Sequence, residues 1–190
     1  MLYRNFRYDE SGKGAKIMLW AILPVKSYRT VGTVSSTGSL EETLSFLKTV
    51  SNITTIIVMS PDAKAVAVAR SFGVRTISIA DLPAWTTGLS RALHLAAAAG
   101  VLRAMVLNPA FLCLDSHFFN QLLATEQPAG SLSLVPLGET DDTGIALVSP
   151  PNYLQISLGS GSLQRNIKAA RLTHAPLTIY SLDDLSMAPQ

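Results

Sequence analysis

The chain has 190 residues, of which 48% are hydrophobic and 15% charged, and its formal net charge is +2. This composition can bury the core of one domain, which excludes wholesale disorder, and the small net charge favours neither a nucleic-acid-binding protein nor a membrane-surface protein. One cysteine excludes an internal disulfide, and no apolar run reaches the roughly 18 residues of a membrane span, so we expect a cytoplasmic protein.

The first strand is predicted over residues 17–24, a run that is apolar on both faces. Such runs are typical of strands covered by helices on both sides of a parallel sheet. Residues 1–16 precede this strand as a polar N-terminal extension, and residues 25–39 follow it as a loop rich in Ser, Thr and Gly. The loop after the first strand of such a sheet opens at its carboxyl edge, where open α/β sheets bind ligands.

Strands and helices then alternate. Helices are predicted over 40–50, 63–72, 86–100 and 116–123, and strands over 54–59, 75–79 and 104–107. Gly73 suits the position just beyond the second helix, because a glycine there adopts a left-handed conformation without strain. Asp115 is expected to cap the N-terminus of the fourth helix.

The last third of the chain departs from this alternation. Strands over 131–136 and 145–149 flank an acidic turn over 139–144, a Gly-Ser loop precedes a helix over 163–172, and a last strand covers 177–180. The order predicts a three-layer α/β/α fold whose mostly parallel sheet carries an antiparallel addition.

Four landmarks in this order resemble one known family. They are a strand ending in Pro-Val-Lys, the helix PDAKAVAVARSFGV, a Gly-Leu-x-x-Ala-Leu helix, and a Gly-x-Gly-Ser loop before a helix. Together they are similar to the 2-phospho-L-lactate guanylyltransferases over roughly residues 17–185. The resemblance implies a single domain over 17–190 with the nucleotide-diphospho-sugar transferase fold. It also implies transfer of GMP from GTP to phospholactate or phosphoenolpyruvate, with Mg²⁺, in deazaflavin coenzyme biosynthesis.

The resemblance implies a set of ligand-binding residues. The nucleotide is expected to contact Pro24, Lys26 and Gly88, and the phosphate or substrate to contact Thr143, Gly144, Gly159, Ser160, Gly161 and Ser162. The last four precede a helix, where N–H groups and hydroxyls form a ready anion site. The alternative for these four is an ordinary serine-capped loop.

The departures from the family concern its charged residues. Ala110 and Tyr180 occupy the positions of the two metal carboxylates, and residues 32–35 lack the family's basic segment, leaving Lys26 and Arg29. Nucleotidyl transfer depends on charge neutralisation by metal ions and cations, and Mg²⁺ is held by carboxylates and phosphates. We therefore predict lost or altered catalysis, and assign no metal ligand and no catalytic residue.

Two functions remain open at this point, besides the possibility that the resemblance is remote and the ligand unrelated. The first is an active nucleotidyltransferase in which Asp142, Asp183 or Asp184 supplies the missing carboxylates. The second is a non-catalytic module on the same fold that binds a nucleotide, another small phosphorylated ligand or a partner protein. The high hydrophobic content favours exposed apolar patches and hence a homodimer.

Several other residues are given structural roles. The three histidines (94, 117 and 174) have no ligand spacing between them. Cys113 lies in an apolar segment, which favours a buried, unreactive thiol. Trp20 and Trp85 are interpreted as core or pocket-rim residues.

Overall fold

The structure, a computed structural model, describes residues 18–27, 39–79, 85–111, 115–125 and 127–181. The strands are β1 (Leu19–Pro24), β2 (Ile53–Ser60), β3 (Arg75–Ser78), β4 (Arg103–Leu107), β5 (Ser131–Pro136), β6 (Thr143–Ser149) and β7 (Leu177–Ile179). The helices are α1 (Leu40–Thr49), α2 (Ala63–Ser71), α3 (Trp85–Ala98), α4 (Ser116–Ala124) and α5 (Ser162–Leu172). None of the helices in the described ranges combines the length and apolar character needed to cross a membrane.

The strands form one sheet in the order β3-β2-β1-β4-β6-β5-β7. β6 runs antiparallel to both of its neighbours, whereas the other neighbouring pairs are parallel. One core packs α1, α2 and α4 against the sheet, and a second core packs α3 and α5 against the other face. The predicted three-layer fold, mostly parallel with an antiparallel addition, is confirmed.

Local signals set the ends of the helices. Ser39 and Glu42 form a capping box at α1, in which the Ser39 hydroxyl accepts from Glu42 N–H at 3.1 Å and the Glu42 carboxylate accepts from Ser39 N–H at 3.0 Å. Gly73 follows α2 with φ +67°, and Asp115 accepts hydrogen bonds from the first N–H groups of α4, as the sequence predicts. The N-terminal extension, most of the loop after β1 and the terminal turn at Asp183 lie outside the described residues.

The start of β6 differs from the prediction. The sequence places residues 143 and 144 in the acidic turn, but β6 begins at Thr143, which pairs with Pro136. The pairing shifts register at this point, so that Gly144 is an extra residue of the kind found in β-bulges. A glycine read as a turn residue therefore belongs to the strand, next to the carboxyl ends of β4 and β5.

Arg103, at the start of β4, is a buried cation that holds the end of α4. Its guanidinium donates to Leu123 O at 3.2 Å and to Thr125 O at 3.1 Å. A positive charge at the C-terminus of a helix is favourable because the last carbonyl groups carry partial negative charge. Burial of the guanidinium lowers the pKa of Arg103, so desolvation offsets part of this stabilisation.

Candidate ligand-binding site

A cavity of about 640 Å³ opens at the carboxyl edge of the parallel strands. It is lined by Pro24 and Lys26 after β1, Trp85, Thr86 and Leu89 of α3, Asn108, Pro109 and Ala110 after β4, Leu137 and Asp142 of the β5–β6 hairpin, residues 156–160, and Arg165 of α5. The chain passes from β1 to β2 on one side and later places β4 on the other, so the cavity lies at the switch point of the sheet. Open α/β folds bind their ligands at this place.

Lys26 is an exposed cation at the mouth of the cavity. The backbone before it is fixed, because Val25 N–H donates to Met59 O at 2.8 Å and Val25 O accepts from the Ser60 hydroxyl at 2.7 Å. In the part of the chain that the structure describes, its ammonium group has no hydrogen-bond or ion-pair partner. The fold thus fixes the backbone next to Lys26, and the ammonium group of this lysine is available to an anion.

The loop before α5 satisfies its own polar groups. Gly161, with φ +68°, is the N-cap residue of α5, and its N–H donates to Asp142 Oδ1 at 2.9 Å. Leu163 N–H donates to Asp141 O, also at 2.9 Å. The start of α5, where a ligand anion was expected, therefore already contacts a carboxylate of the same chain.

Arg165 holds the other side of this loop. Its guanidinium donates to Ser160 O at 2.7 Å and to Leu158 O at 3.4 Å. The side chain therefore reaches back from α5 over the preceding residues and fixes the loop that lines the cavity. Arg165 and Asp142 together give this end of the cavity one positive and one negative charge, each with a partner inside the protein.

A buried network ties α5 to β6 behind the cavity wall. Asn166 donates to the Thr143 hydroxyl at 2.9 Å and exchanges hydrogen bonds with the backbone of Ser157. The Ser162 hydroxyl accepts from Thr143 N–H at 2.8 Å. Thr143, Ser162 and Asn166 have no solvent-exposed surface, so their hydroxyl and amide groups act within the protein.

Asn108 positions the segment after β4. Its N–H donates to Gly144 O at 2.8 Å, and its side-chain amide donates to Thr143 O at 3.1 Å. Its side-chain oxygen accepts from Ala110 N–H at 3.0 Å, which forms an Asx turn. This turn places Ala110 in the wall of the cavity.

The structure separates the predicted ligand-binding residues into three groups. Pro24, Lys26, Gly159 and Ser160 line the cavity. Gly161, Ser162 and Thr143 belong to the hydrogen-bonded wall behind it. Contact of any of these residues with a ligand stays a prediction.

The remaining two predicted residues, Gly88 and Gly144, lie at close packing contacts. A Cβ atom on Gly88 would lie 2.8 Å from Ile79 Cγ2, and a Cβ atom on Gly144 would overlap the Phe111 ring. Close approach of neighbouring groups therefore explains a glycine at both positions. Their binding to a ligand also stays a prediction.

Sequence reasoning missed three residues of the site: Asn108, Arg165 and Asn166. A signal existed for Arg165, because a cation in the first turn of a helix opposes the helix dipole. Positions that break a local rule in this way are expected at functional or strained sites. Asn108 and Asn166 offered no such signal for the hydrogen bonds that tie them to other elements, since those partners of their side chains are 9 to 35 residues away in the chain.

The described residues do not fit the Mg²⁺ site implied by the resemblance. They contain no group of three or more His, Cys, Asp or Glu side chains placed to hold a metal ion. Of the described residues that line the cavity, Asp142 is the single acidic one, and one of its oxygens accepts from Gly161 N–H. Ala110 offers no side-chain donor, and Tyr180 packs against the core.

Comparisons with known proteins place the fold but not the family. The sequence matches no protein-family model, and no curated protein is significantly similar to it. A solved 4-diphosphocytidyl-2C-methyl-D-erythritol synthase is 14% identical with a TM-score of 0.62, covering 93% of this chain and 94% of its own. A nucleotidyl transferase from Methanothermobacter thermautotroptrophicus is 12% identical with a TM-score of 0.58, covering 86% and 87%.

A glucosyl-3-phosphoglycerate synthase from Mycobacterium tuberculosis, solved in complex with uridine-diphosphate, is 13% identical with a TM-score of 0.55, covering 91% of this chain and 72% of its own. At this identity the similarity concerns the fold alone. The chain has the α/β fold of the nucleotide-diphospho-sugar transferases and cytidylyltransferases.

Proposed function

We propose that this protein binds a nucleotide or a small phosphorylated acid in the carboxyl-edge cavity, and that it is a divergent relative of the 2-phospho-L-lactate guanylyltransferases that has lost metal-dependent transfer. The main support is the position of Lys26, which lines a largely apolar cavity at the switch point of the sheet. Its ammonium group has no partner among the described residues. Ligand pockets are typically largely apolar, with a few polar groups that orient the ligand.

The apolar wall and the cation suit different parts of such a ligand. Trp85, Leu89 and Ile156 offer surface to a base or to the carbon skeleton of an acid. Lys26 offers a point charge to a phosphate or carboxylate. The Mycobacterium tuberculosis synthase of similar fold, solved with uridine-diphosphate, supports a nucleotide as one such ligand.

Loss of nucleotidyl transfer is proposed because few of the described side chains that line the cavity could hold Mg²⁺. Nucleotidyl transfer is mostly positioning and charge stabilisation, for which Mg²⁺ is normally held by one or two carboxylates together with the substrate phosphates. Among the described residues, Asp142 is the one carboxylate that lines the cavity, and it already accepts a hydrogen bond from Gly161 N–H; Ala110 stands where the resemblance places a metal ligand. Lys26 then binds a ligand without activating it, and Arg165 fixes the loop that lines the cavity.

An active transferase is the second candidate, and the position of Asp142 in the cavity wall favours it. In that case Asp183 and Asp184, which lie outside the described residues, supply the further carboxylates. The donor would be GTP and the acceptor phospholactate or phosphoenolpyruvate.

Isothermal titration separates the two functions. The protein is titrated with GTP in the presence and absence of Mg²⁺, and then with phosphoenolpyruvate and phospholactate. We expect binding that does not require Mg²⁺ and no release of pyrophosphate when both substrates are mixed. Mg²⁺-dependent GTP binding with pyrophosphate release would overturn the loss of transfer, and failure of all three compounds to bind would overturn ligand binding itself.

A further inference from the structure

Asp142 gives the cavity a negative charge at the end that faces α5. Asp142 lines the cavity, and its Oδ1 accepts a 2.9 Å hydrogen bond from Gly161 N–H. Building on the proposed function, we propose that Asp142 determines specificity by excluding a second anionic group from this end and accepting a hydrogen bond from a ligand hydroxyl or amino group.

Asp142 excludes a second anionic group because it already uses the N–H donor that such a group would need. A ligand phosphate at the start of a helix is normally bound by N–H groups such as that of Gly161. The Asp142 carboxylate already accepts from that N–H, so a phosphate placed there would lose this donor and lie beside a like charge. A carboxylate has two oxygens with about four acceptor positions, which leaves Asp142 able to accept from an uncharged donor of the ligand.

Arg165 does not reverse this preference. Its guanidinium donates to two carbonyl groups of the loop, Ser160 O and Leu158 O. Two of its five N–H donors are thus used, and a ligand anion that took the others would share this end of the cavity with the Asp142 carboxylate. Lys26 has no partner among the described residues, so the anionic group of the ligand belongs at Lys26.

The sheet sets the distance between the two polar ends. Lys26 follows β1 and Asp142 precedes β6, and β4 lies between these strands. The backbones of β1 and β6 are therefore two strand spacings apart, about 10 Å. The ligand class is therefore a compound whose anionic groups lie together at one end, with an uncharged hydroxyl or amino group on the order of 10 Å away.

Two sugar phosphates test this assignment, because they differ only in a second anionic group. Fructose 6-phosphate carries one phosphate and fructose 1,6-bisphosphate carries a phosphate at each end. Titration of both into the full chain gives an affinity ratio, which we expect to favour the monophosphate. Asp142→Asn removes the negative charge but keeps an oxygen for Gly161 N–H, and we expect it to shift the ratio towards the bisphosphate by about fivefold or more.

Asp141→Asn is the matched control. Asp141 is the exposed neighbour that contacts α5 through its backbone oxygen, so this variant loses the same charge outside the cavity wall. We expect its ratio to stay within about twofold of the unmodified protein, since a solvent-exposed charge acts weakly at a distance. Asp142→Ser, which keeps a hydroxyl acceptor on a shorter side chain, replaces Asp142→Asn if that variant does not fold.

The outcomes distinguish this inference from the proposed function. An unchanged ratio in Asp142→Asn, or an equal shift in both Asn variants, would overturn the role of Asp142. If Lys26→Ala abolishes binding while Asp142→Asn leaves the ratio unchanged, ligand binding stands and only the specificity is rejected. If neither sugar phosphate binds the unmodified protein, the ligand class assigned here is rejected, whereas the proposed function is rejected only if GTP, phosphoenolpyruvate and phospholactate also fail to bind.

Discussion

The side-chain amide of Asn166 in α5 donates a 2.9 Å hydrogen bond to the hydroxyl of Thr143, the first residue of β6. Both side chains are completely buried. This bond joins the helix behind the cavity to the strand beside it, and Asn166 extends the connection to Ser157 in the lining loop. The position of the cavity wall therefore depends on one buried asparagine.

Replacing Asn166 by alanine is expected to lower the free energy of unfolding by about 2–3 kcal/mol, because the backbone groups of Ser157 and the Thr143 hydroxyl lose a buried partner. Urea denaturation measures the change. Gln164→Ala, on the exposed side of the same helix, is the control and should stay within about 0.5 kcal/mol of the unmodified protein. Equal effects of the two variants would contradict the role given to Asn166.

Gly144→Ala is expected to destabilise the fold by about 1–3 kcal/mol, because the new methyl group would overlap the Phe111 ring. Phe111→Leu makes room, so the double variant should recover at least about 1 kcal/mol relative to the sum of the single changes. Denaturation of all four proteins in a double-mutant cycle tests this. Strict additivity would show that Phe111 is not the obstacle.

Gly88→Ala is expected to destabilise the fold by about 1–2 kcal/mol, although alanine is the better helix former by about 1 kcal/mol. The reason is the contact of α3 with the sheet, where the new Cβ would lie 2.8 Å from Ile79 Cγ2. Thr87→Ala, at an exposed position of the same helix, is expected to be neutral within about 0.5 kcal/mol. Thermal unfolding of the two variants compares them, and a stabilised Gly88→Ala would refute the packing argument.

Lys26→Ala is expected to weaken phosphoenolpyruvate binding about tenfold and to leave the unfolding free energy unchanged, because Lys26 is exposed and lines the cavity. Lys168→Ala removes the same charge from an exposed position of α5 that does not line the cavity. Titration at two salt concentrations should show a weaker salt dependence for Lys26→Ala alone. A similar loss in both variants would mean that net charge, and not Lys26, attracts the ligand.

Trp85 is expected to report ligand binding by its fluorescence. It lines the cavity, whereas Trp20 is 6% exposed in the core at the opposite end of β1, about 13 Å from Pro24 along the strand. Phosphoenolpyruvate should change the tryptophan emission of the unmodified protein and of Trp20→Phe, but not that of Trp85→Phe. A response that survives in Trp85→Phe and disappears in Trp20→Phe would place the ligand elsewhere.

The sequence was most informative where structure is local. All seven predicted strands and five predicted helices are present, and Gly73 and Asp115 end or begin their helices as expected, because alternation of apolar runs and capping chemistry act within a few residues. Residues that meet across the sheet were not predictable in this way. Asn108 bonds to Thr143, 35 residues later, and no local pattern encodes that pairing.

The Gly-Ser loop shows the same limit within the candidate site. Its composition indicated an anion site, but the hydrogen bond from Gly161 N–H goes to Asp142, 19 residues earlier. Asp142 lies in the segment predicted as an acidic turn, where acidic residues are common for local reasons. Only the position of the β5–β6 hairpin beside α5 reveals that this acid faces the loop.

The reversed direction of β6 places a hairpin tip, whose length can vary, beside the cavity. Because β6 runs against its neighbours, the tip of the β5–β6 hairpin, residues 137–142, lies at the edge of the sheet where the candidate cavity opens, and the antiparallel pairing of β5 with β6 holds it there. Hairpin tips tolerate insertions and deletions without displacing the strands they join. Length variation at this tip therefore offers a route to new ligand preferences that leaves the parallel half of the sheet intact, and it marks the segment to exchange when binding is to be re-engineered.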